Sequence, residues 1–111
     1  MTIYFRTRAL QKVCSNQIEA IRKLGSTRAR KLQQRLMELW AAQALSDISR
    51  VPPARCHELT GDRAGQLSVD LDHPYRLCFI PANTPVPYGL DGGLDWRSIT
   101  EIEIIGMDDP H

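Results

Sequence analysis

The clearest strand pattern in the sequence lies in residues 57–80, HELTGDRAGQLSVDLDHPYRLCFI. Polar and apolar residues alternate over residues 66–71, and a mostly apolar run follows over residues 75–80. The turn formers Asp72, His73 and Pro74 separate these runs, which is typical of an antiparallel β-hairpin. A third run, residues 55–60, enters the hairpin through the glycine-bounded segment 61–65. The pattern predicts a three-stranded meander.

The residues before the meander predict a short strand and two helices. Residues 2–6 suit a strand, and apolar residues recur at helical spacing over residues 10–24. Asn16 and Glu19 have capping-box spacing, so a helix can restart there. The second helix is expected over about residues 27–45, capped by Ser26 or Thr27. Its apolar face comprises Ala29, Leu32, Leu36, Leu39 and Trp40.

The later residues complete an α+β prediction. Residues 81–98 hold three prolines and three glycines, which indicates a long loop that Trp96 pins to the body. Residues 99–105 alternate well enough to form the last strand. We therefore predict one domain over residues 1–111, in which a short N-terminal strand and two helices pack on an antiparallel sheet.

Composition narrows the class of protein. With 111 residues, 42% of them apolar, the chain suits one compact core. It has no apolar run long enough to cross a bilayer and no secretory leader, so we expect a cytoplasmic protein that does not enter a membrane. The three cysteines lack a CxxC pair or further ligands, which favours free thiols and no metal site. Nothing in the sequence calls for a cofactor.

Charge is distributed unevenly along the chain. Residues 1–63 contain 12 Lys and Arg against 5 Asp and Glu, whereas residues 64–111 contain 2 against 8. Arg28, Lys31 and Arg35 form a basic stripe beside the apolar face of the second helix. This stripe could bind RNA phosphates or an acidic protein, or it could be an ordinary solvated helix face.

Arg76 is the most informative charged residue of the predicted sheet. Strand parity places Arg76, Cys78 and Ile80 on one face. We expect that face to be the open one, because burying an unpaired guanidinium costs free energy. The structural alternative is an ion pair between Arg76 and a carboxylate such as Asp70.

The meander also resembles a known family. It matches the HxLxGDRxGxxS…YRL pattern of HigB-like toxins, which belong to the RelE/ParE superfamily of toxin-antitoxin systems. The matching residues are His57, Leu59, Gly61, Asp62, Arg63, Gly65 and Ser68, then Tyr75, Arg76 and Leu77. The closing Asp109-Pro110-His111 is similar to the family's Asp-Tyr-His ending, with proline in place of tyrosine. The resemblance implies a RelE-like fold.

The resemblance further implies a metal-independent endoribonuclease that cuts mRNA in the ribosome and is inhibited by a helix-turn-helix antitoxin of the HigA type. On the matching positions, His57, Asp109 and His111 would transfer or orient protons, and Arg76 would steady phosphate charge. Arg63 would hold RNA or brace the turn. The alternative is a non-catalytic protein of the toxin fold, either an inactive homologue or a ParE-like gyrase inhibitor.

Overall fold

In the computed structural model, which describes residues 1–109, three helices pack on a five-stranded sheet. The elements are β1 (Thr2–Phe5), α1 (Arg8–Ser15), α2 (Gln17–Leu24), α3 (Ser26–Ala41), β2 (His57–Glu58), β3 (Leu67–Asp70), β4 (Arg76–Pro81) and β5 (Glu101–Asp108). The strand order is β1-β5-β4-β3-β2. The predicted α+β class and the meander β2-β3-β4 are confirmed. The sheet is mixed, because β1 pairs with β5 in parallel.

The helical segment has three helices because the first predicted one divides at Asn16. The Asn16 side chain accepts a hydrogen bond from the Glu19 amide at 3.2 Å, as the capping-box spacing predicts. Gly25 then occupies the N-cap position of α3 without a side-chain bond, so the predicted caps at Ser26 and Thr27 are wrong.

The third helix ends at Ala41, four residues before its predicted end. The N-terminal ammonium group of Met1 donates to the carbonyl oxygens of Leu39 and Trp40 at 3.2 and 3.0 Å. These carbonyls lack helical partners at a helix C-terminus, so the ammonium group satisfies them and its charge complements the helix dipole. Leu45 instead begins a short 3-10 turn.

The main core lies between the helices and one face of the sheet. Apolar side chains of α3 and of the strands β3, β4 and β5 form it, including Ala29, Leu32, Leu36, Leu39, Leu67, Val69, Leu77, Phe79, Ile102 and Ile104. Trp40 was predicted to share this face, but it is 46% exposed because it lies past the edge of the apolar stripe. The opposite face of the sheet carries Arg76 and Cys78, and we call it the helix-free face.

The loop of residues 82–100 is folded against the body. Trp96 is buried, its Nε1–H donates to Glu58 at 3.2 Å, and the Arg50 guanidinium stacks on its ring at 3.6 Å. These contacts confirm the predicted pinning role. Further along the loop, Tyr88 and Leu94 form an isolated antiparallel bridge. None of the helices in residues 1–109 is long and apolar enough to cross a membrane.

Candidate functional site

Arg76 lies on the helix-free face as predicted, but the prediction that it is open to solvent is wrong. Only 2% of the residue is exposed. Its Nη1 donates to the Ser68 hydroxyl at 3.2 Å, and its Nε lies 3.3 Å from a carboxylate oxygen of Asp70. The guanidinium can be buried because it is paired and hydrogen-bonded, which offsets its loss of hydration. The structural alternative of an Arg76–Asp70 pair is therefore present.

His57 faces Arg76 across the sheet. The register pairs His57 with Ser68 and Ser68 with Cys78, so these side chains share the helix-free face with Arg76. His57 Nδ1 lies 3.0 Å from the Arg55 carbonyl oxygen, and Arg76 Nη1 contacts His57 Nε2. The contact at Nδ1 fits the tautomer in which Nδ1–H donates to the Arg55 carbonyl, and the same Arg76 Nη1 lies 3.4 Å from Nδ1, so the guanidinium packs against the ring. Arg76 thus holds the imidazole in one orientation.

Asp70 is shared by two guanidinium groups. Arg55 Nε donates to Asp70 Oδ2 at 2.8 Å, while Arg76 Nε approaches Oδ1. Arg55 has φ of +48°, a left-handed conformation that is uncommon for residues other than glycine. From this conformation it supplies both the ion pair to Asp70 and the carbonyl that orients His57.

Arg63 folds back from the tip of the meander onto the helix-free face. Gly61 and Gly65 have φ of +65° and +91°, which confirms the predicted reversal of the chain between them. Arg63 Nη1 donates to Asp108 Oδ1 at 2.9 Å, and Arg63 Nε donates to Gln66 Oε1 at 2.8 Å. The hydrogen bond to Asp108 raises the pKa of Arg63, which keeps its full positive charge.

Cys78 lies beneath the Arg63–Asp108 pair and is fully buried. Its Sγ is 3.5 Å from Asp108 Oδ1, so the thiol can donate to the carboxylate. Burial is the main reason that the pKa of Cys78 is raised to about 11, and the nearby Asp108 carboxylate acts in the same direction. Cys78 is therefore a neutral thiol at neutral pH and is a poor nucleophile.

The predicted basic stripe on α3 does not form an open surface. Arg35 is 1% exposed, with Nη1 bound to Glu38 at 2.6 Å and Nε donating to the Asp70 carbonyl at 2.9 Å. Arg28 pairs with Asp72 at 2.9 Å and stacks on Tyr75. Arg35 faces the protein interior because α3 packs on the sheet along that side. Placement of Arg35 on an RNA-binding surface was wrong, whereas Lys31 and Arg28 keep partial exposure.

The carboxy-terminal candidates are only partly described. Asp109 directly follows β5 and is exposed. His111 lies outside the described residues, so its predicted role stays a prediction. Within residues 1–109, His, Cys, Asp and Glu side chains form no group of three that could hold a metal ion.

The β4–β5 register pairs Arg76 with Asp108, so the His57–Arg76 contact lies beside the Arg63–Asp108 pair, and the site gains two residues that sequence reasoning missed. Ser68 belongs to the motif but was given no role. Its pairing with Cys78, which shares a strand face with Arg76, places it in the site. Asp108 was missed because its position depends on a β-bulge opposite Cys78 and Phe79. The cluster joins an oriented imidazole, two guanidinium groups and a carboxylate, which can transfer protons and bind anions.

No model of a known protein family matches this sequence, and no curated protein matches it significantly. Solved structures do match. The YoeB/ParE toxin from Agrobacterium tumefaciens has a TM-score of 0.58 and 12% identity, covering 98% of each chain. The YoeB-YefM complex from Staphylococcus aureus has a TM-score of 0.56 and 13% identity over 97% of this chain and 94% of that one.

The YoeB dimer from Staphylococcus aureus has a TM-score of 0.52 and 15% identity over 96% of this chain and 92% of that one. These identities are too low to transfer an activity, but the likeness covers nearly the whole of every chain. The chain therefore shares its fold with these YoeB and YoeB/ParE toxin structures.

Proposed function

We propose that this protein is the toxin of a type II toxin-antitoxin system and acts as a ribosome-dependent mRNA endoribonuclease. The observation that carries the proposal is the cluster of His57, Arg76, Arg63 and Asp108 on the helix-free face of a toxin fold. The resemblance of the meander to HigB-like toxins supports the same activity. Oriented titratable groups beside guanidinium groups are what metal-independent RNA cleavage needs.

The reaction is an intramolecular phosphoryl transfer. The ribose 2′-oxygen attacks the adjacent phosphorus, its proton passes to a base, and the departing 5′-oxygen receives a proton from an acid. The products are a 2′,3′-cyclic phosphate and a 5′-hydroxyl group. His57 is the proposed proton carrier on the sheet, with Asp109 and His111 as the proposed carriers or orienting groups from the end of the chain. Asp109 follows β5 immediately after Asp108.

The two arginines have different proposed roles because their exposure differs. The Arg63 side chain is 28% exposed and its partner Asp108 is 50% exposed, so an RNA phosphate can compete with Asp108 for Arg63. The Arg76 side chain is 2% exposed and already serves Asp70, Ser68 and His57. We therefore assign phosphate binding to Arg63 and positioning of the imidazole to Arg76. This assignment replaces the predicted contact between Arg76 and phosphate.

The proposed partners are the ribosome with its mRNA and a small inhibitory protein. One of the similar solved structures is a YoeB-YefM complex, which supports a protein partner for this fold. The HigB-like motif favours a helix-turn-helix antitoxin of the HigA type. Arg28 and Lys31 remain the proposed RNA contacts on α3, and both are partly exposed.

One observation favours a second function, that of a non-catalytic binder with the toxin fold. Both guanidinium groups of the cluster are paired with carboxylates, Arg63 with Asp108 and Arg76 with Asp70. A protein that never binds a phosphate here would keep these pairs permanently. It would act by binding a partner such as DNA gyrase, or it would be an inactive homologue.

The test is controlled expression in a bacterium, with new 5′ ends mapped on translated transcripts. The wild type should arrest growth and produce cuts in phase with codons. His57→Ala should reduce cleavage by about 100-fold or more, since a general acid or base contributes about that much. His73→Ala is the matched control, because His73 is exposed in the β3–β4 turn. His111→Ala tests the carboxy-terminal prediction in the same assay.

The outcomes separate the two functions. Growth arrest by the wild type without any mRNA cleavage would contradict the nuclease proposal and support the non-catalytic binder. Cleavage by the His57→Ala variant at the wild-type rate would remove His57 from the mechanism. The second conclusion requires that circular dichroism of the purified His57→Ala variant match that of the wild type.

A further inference from the structure

A cleft on the helix-free face lies next to the cluster and is not used by the proposed mechanism. It has a volume of about 330 Å³ and is bounded by the tip of the meander on one side and the long loop on the other. Ile80 forms part of its wall, two residues after Cys78 on the same strand face. Gln66 belongs to both places, since it lines the cleft and accepts a hydrogen bond from Arg63. The cleft therefore continues the candidate site along β4.

The chemistry of the cleft differs from that of the cluster. Its lining residues are all uncharged, and they include Tyr88, Leu94 and Val86 from the loop. Tyr88 is 64% exposed, so much of the side chain is open to a ligand. The side-chain oxygen of Gln66, Oε1, accepts a hydrogen bond from Arg63. This bond fixes the orientation of the side-chain NH₂ group.

The Tyr88 backbone is held in place. It bridges to Leu94, and the Gly89 amide donates to the Gly93 carbonyl at 2.7 Å. Trp96, two residues beyond Leu94, anchors the end of the loop through Glu58. An aromatic side chain on a fixed backbone loses less conformational entropy when a ligand binds.

We propose that the cleft binds one unpaired nucleobase of the RNA, stacked on Tyr88, beside the phosphate held by Arg63. A base is uncharged, has two apolar faces and carries hydrogen-bonding groups on its edge, which matches an uncharged cleft with one aromatic ring and one amide. The negative charge of the nucleotide lies on its phosphate, and Arg63 is a cation hydrogen-bonded to Gln66, which lines the cleft. This inference rests on the proposed function, because it assigns a base subsite to the same substrate.

The test measures binding separately from cleavage. Full-length protein is titrated with a short RNA trinucleotide whose 2′-hydroxyl groups are methylated, and binding is followed by NMR. Three further trinucleotides each lack the base at one position. Tyr88→Ala should weaken binding of the complete trinucleotide by roughly 5- to 100-fold, the range expected for loss of one base–aromatic stack. The loss should vanish for one of the three abasic trinucleotides.

Two variants serve as controls. Tyr88→Phe keeps the ring and should bind within about twofold of the wild type. Leu90→Ala changes a fully exposed residue of the same loop that does not line the cleft, and it should leave binding unchanged. Both substitutions lie on the surface, so all three variants are expected to fold.

The proposal is overturned if Tyr88→Ala binds the complete trinucleotide as tightly as the wild type, because no base would then stack on Tyr88. It is also overturned if the variant weakens binding of every abasic trinucleotide equally, or if the wild type binds none of them at millimolar concentration. A wild type that binds RNA through Tyr88 but cleaves no mRNA in cells would remove the nuclease activity and keep the base subsite.

Discussion

Along β4 the two faces of the sheet are both buried, but by different means. On the helix-covered face, Leu77 and Phe79 pack against apolar side chains of α3. On the helix-free face, the intervening Arg76 and Cys78 are just as inaccessible, although no helix covers them. On this face ion-paired and hydrogen-bonded side chains bury Arg76 and Cys78. Asp108, which pairs with Arg63 above Cys78, stays half exposed. The difference means that a ligand can open the helix-free face by exchanging ion pairs, whereas the core opens only on unfolding.

Asp70 connects the two faces. Its carboxylate pairs with Arg76 on the helix-free side, and its backbone carbonyl accepts from the side chain of Arg35, a residue of α3 that faces the sheet. Two buried guanidinium groups therefore meet at one residue from opposite sides. Through Asp70, the helix α3 and the candidate site on the opposite face of the sheet are therefore linked by hydrogen bonds and an ion pair.

The largest expected effect comes from neighbouring substitutions on β4. Phe79→Ala should lower the free energy of unfolding by about 3–5 kcal/mol, because it leaves a cavity in the apolar core. Cys78→Ala should lower it by only about 1 kcal/mol, because one small group is removed from beneath the polar layer. Urea unfolding of both variants measures the difference. Equal losses would show that the helix-free face is packed as rigidly as the core.

A smaller effect is expected from Arg35. Arg35→Met should lower the free energy of unfolding by about 2 kcal/mol, because the buried Asp70 carbonyl loses its side-chain donor. The loss stays below that of a fully buried pair because the Glu38 side chain is 39% exposed and can be hydrated. Arg30→Met, at an exposed position on the same helix, should change stability by less than about 0.5 kcal/mol.

The same Arg35 variant also tests whether the two faces of the sheet differ in function. Because the Arg35 side chain is buried between α3 and the sheet, its loss should leave mRNA cleavage per folded molecule unchanged, while Arg63→Met should reduce it. Measured cleavage is divided by the folded fraction from the urea curves. If the fully folded Arg35→Met variant cleaves less mRNA than the wild type, Arg35 contributes to RNA binding after all.

The smallest effect is expected from the partly exposed pair of Arg28 and Asp72. The hydrogen bond from Arg28 is the main reason that the pKa of Asp72 is lowered from its usual 3.8. The folded pKa lies below the unfolded one, so the pair stabilises the protein above about pH 4 and loses this effect as pH falls through the folded pKa. Asp72→Asn should cost about 0.5–1 kcal/mol at pH 7. Thermal unfolding from pH 7 to pH 2 should show the difference disappear.

A control and a contradicting result complete this prediction. Asp62→Asn, at the exposed tip of the meander, should change stability by less than about 0.5 kcal/mol at either pH. A difference between wild type and Asp72→Asn that persists at the lowest pH would exclude the ion pair as its cause.

Sequence patterns were sufficient wherever structure depends on neighbouring residues. The meander, the helix restart at Asn16, the chain reversal between Gly61 and Gly65 and the anchored Trp96 were all predicted correctly. Helix ends were less accurate, because the end of α3 is satisfied by the distant amino group of Met1.

The site shows the limit most clearly at Asp108. Strict alternation along β5 would place Asp108 on the same face as Ile102 and Ile104, in the core. A bulge intervenes, since Cys78 pairs with Gly106 while Phe79 pairs with Ile104, leaving Ile105 as the extra residue. A shift of one residue turns every later side chain to the other face, so Asp108 reaches Arg63 on the helix-free face.

Local patterns in the sequence were enough for the α+β class and the order of strands and helices, because periodicity and turn chemistry depend on neighbouring residues. The resemblance of the meander to a known family, and not periodicity, singled out His57, Arg63 and Arg76. Which arginines are buried became clear only from the folded structure. A guanidinium can leave water only where partners distant in sequence meet it, as Asp70 meets Arg76 and Glu38 with the Asp70 carbonyl meets Arg35.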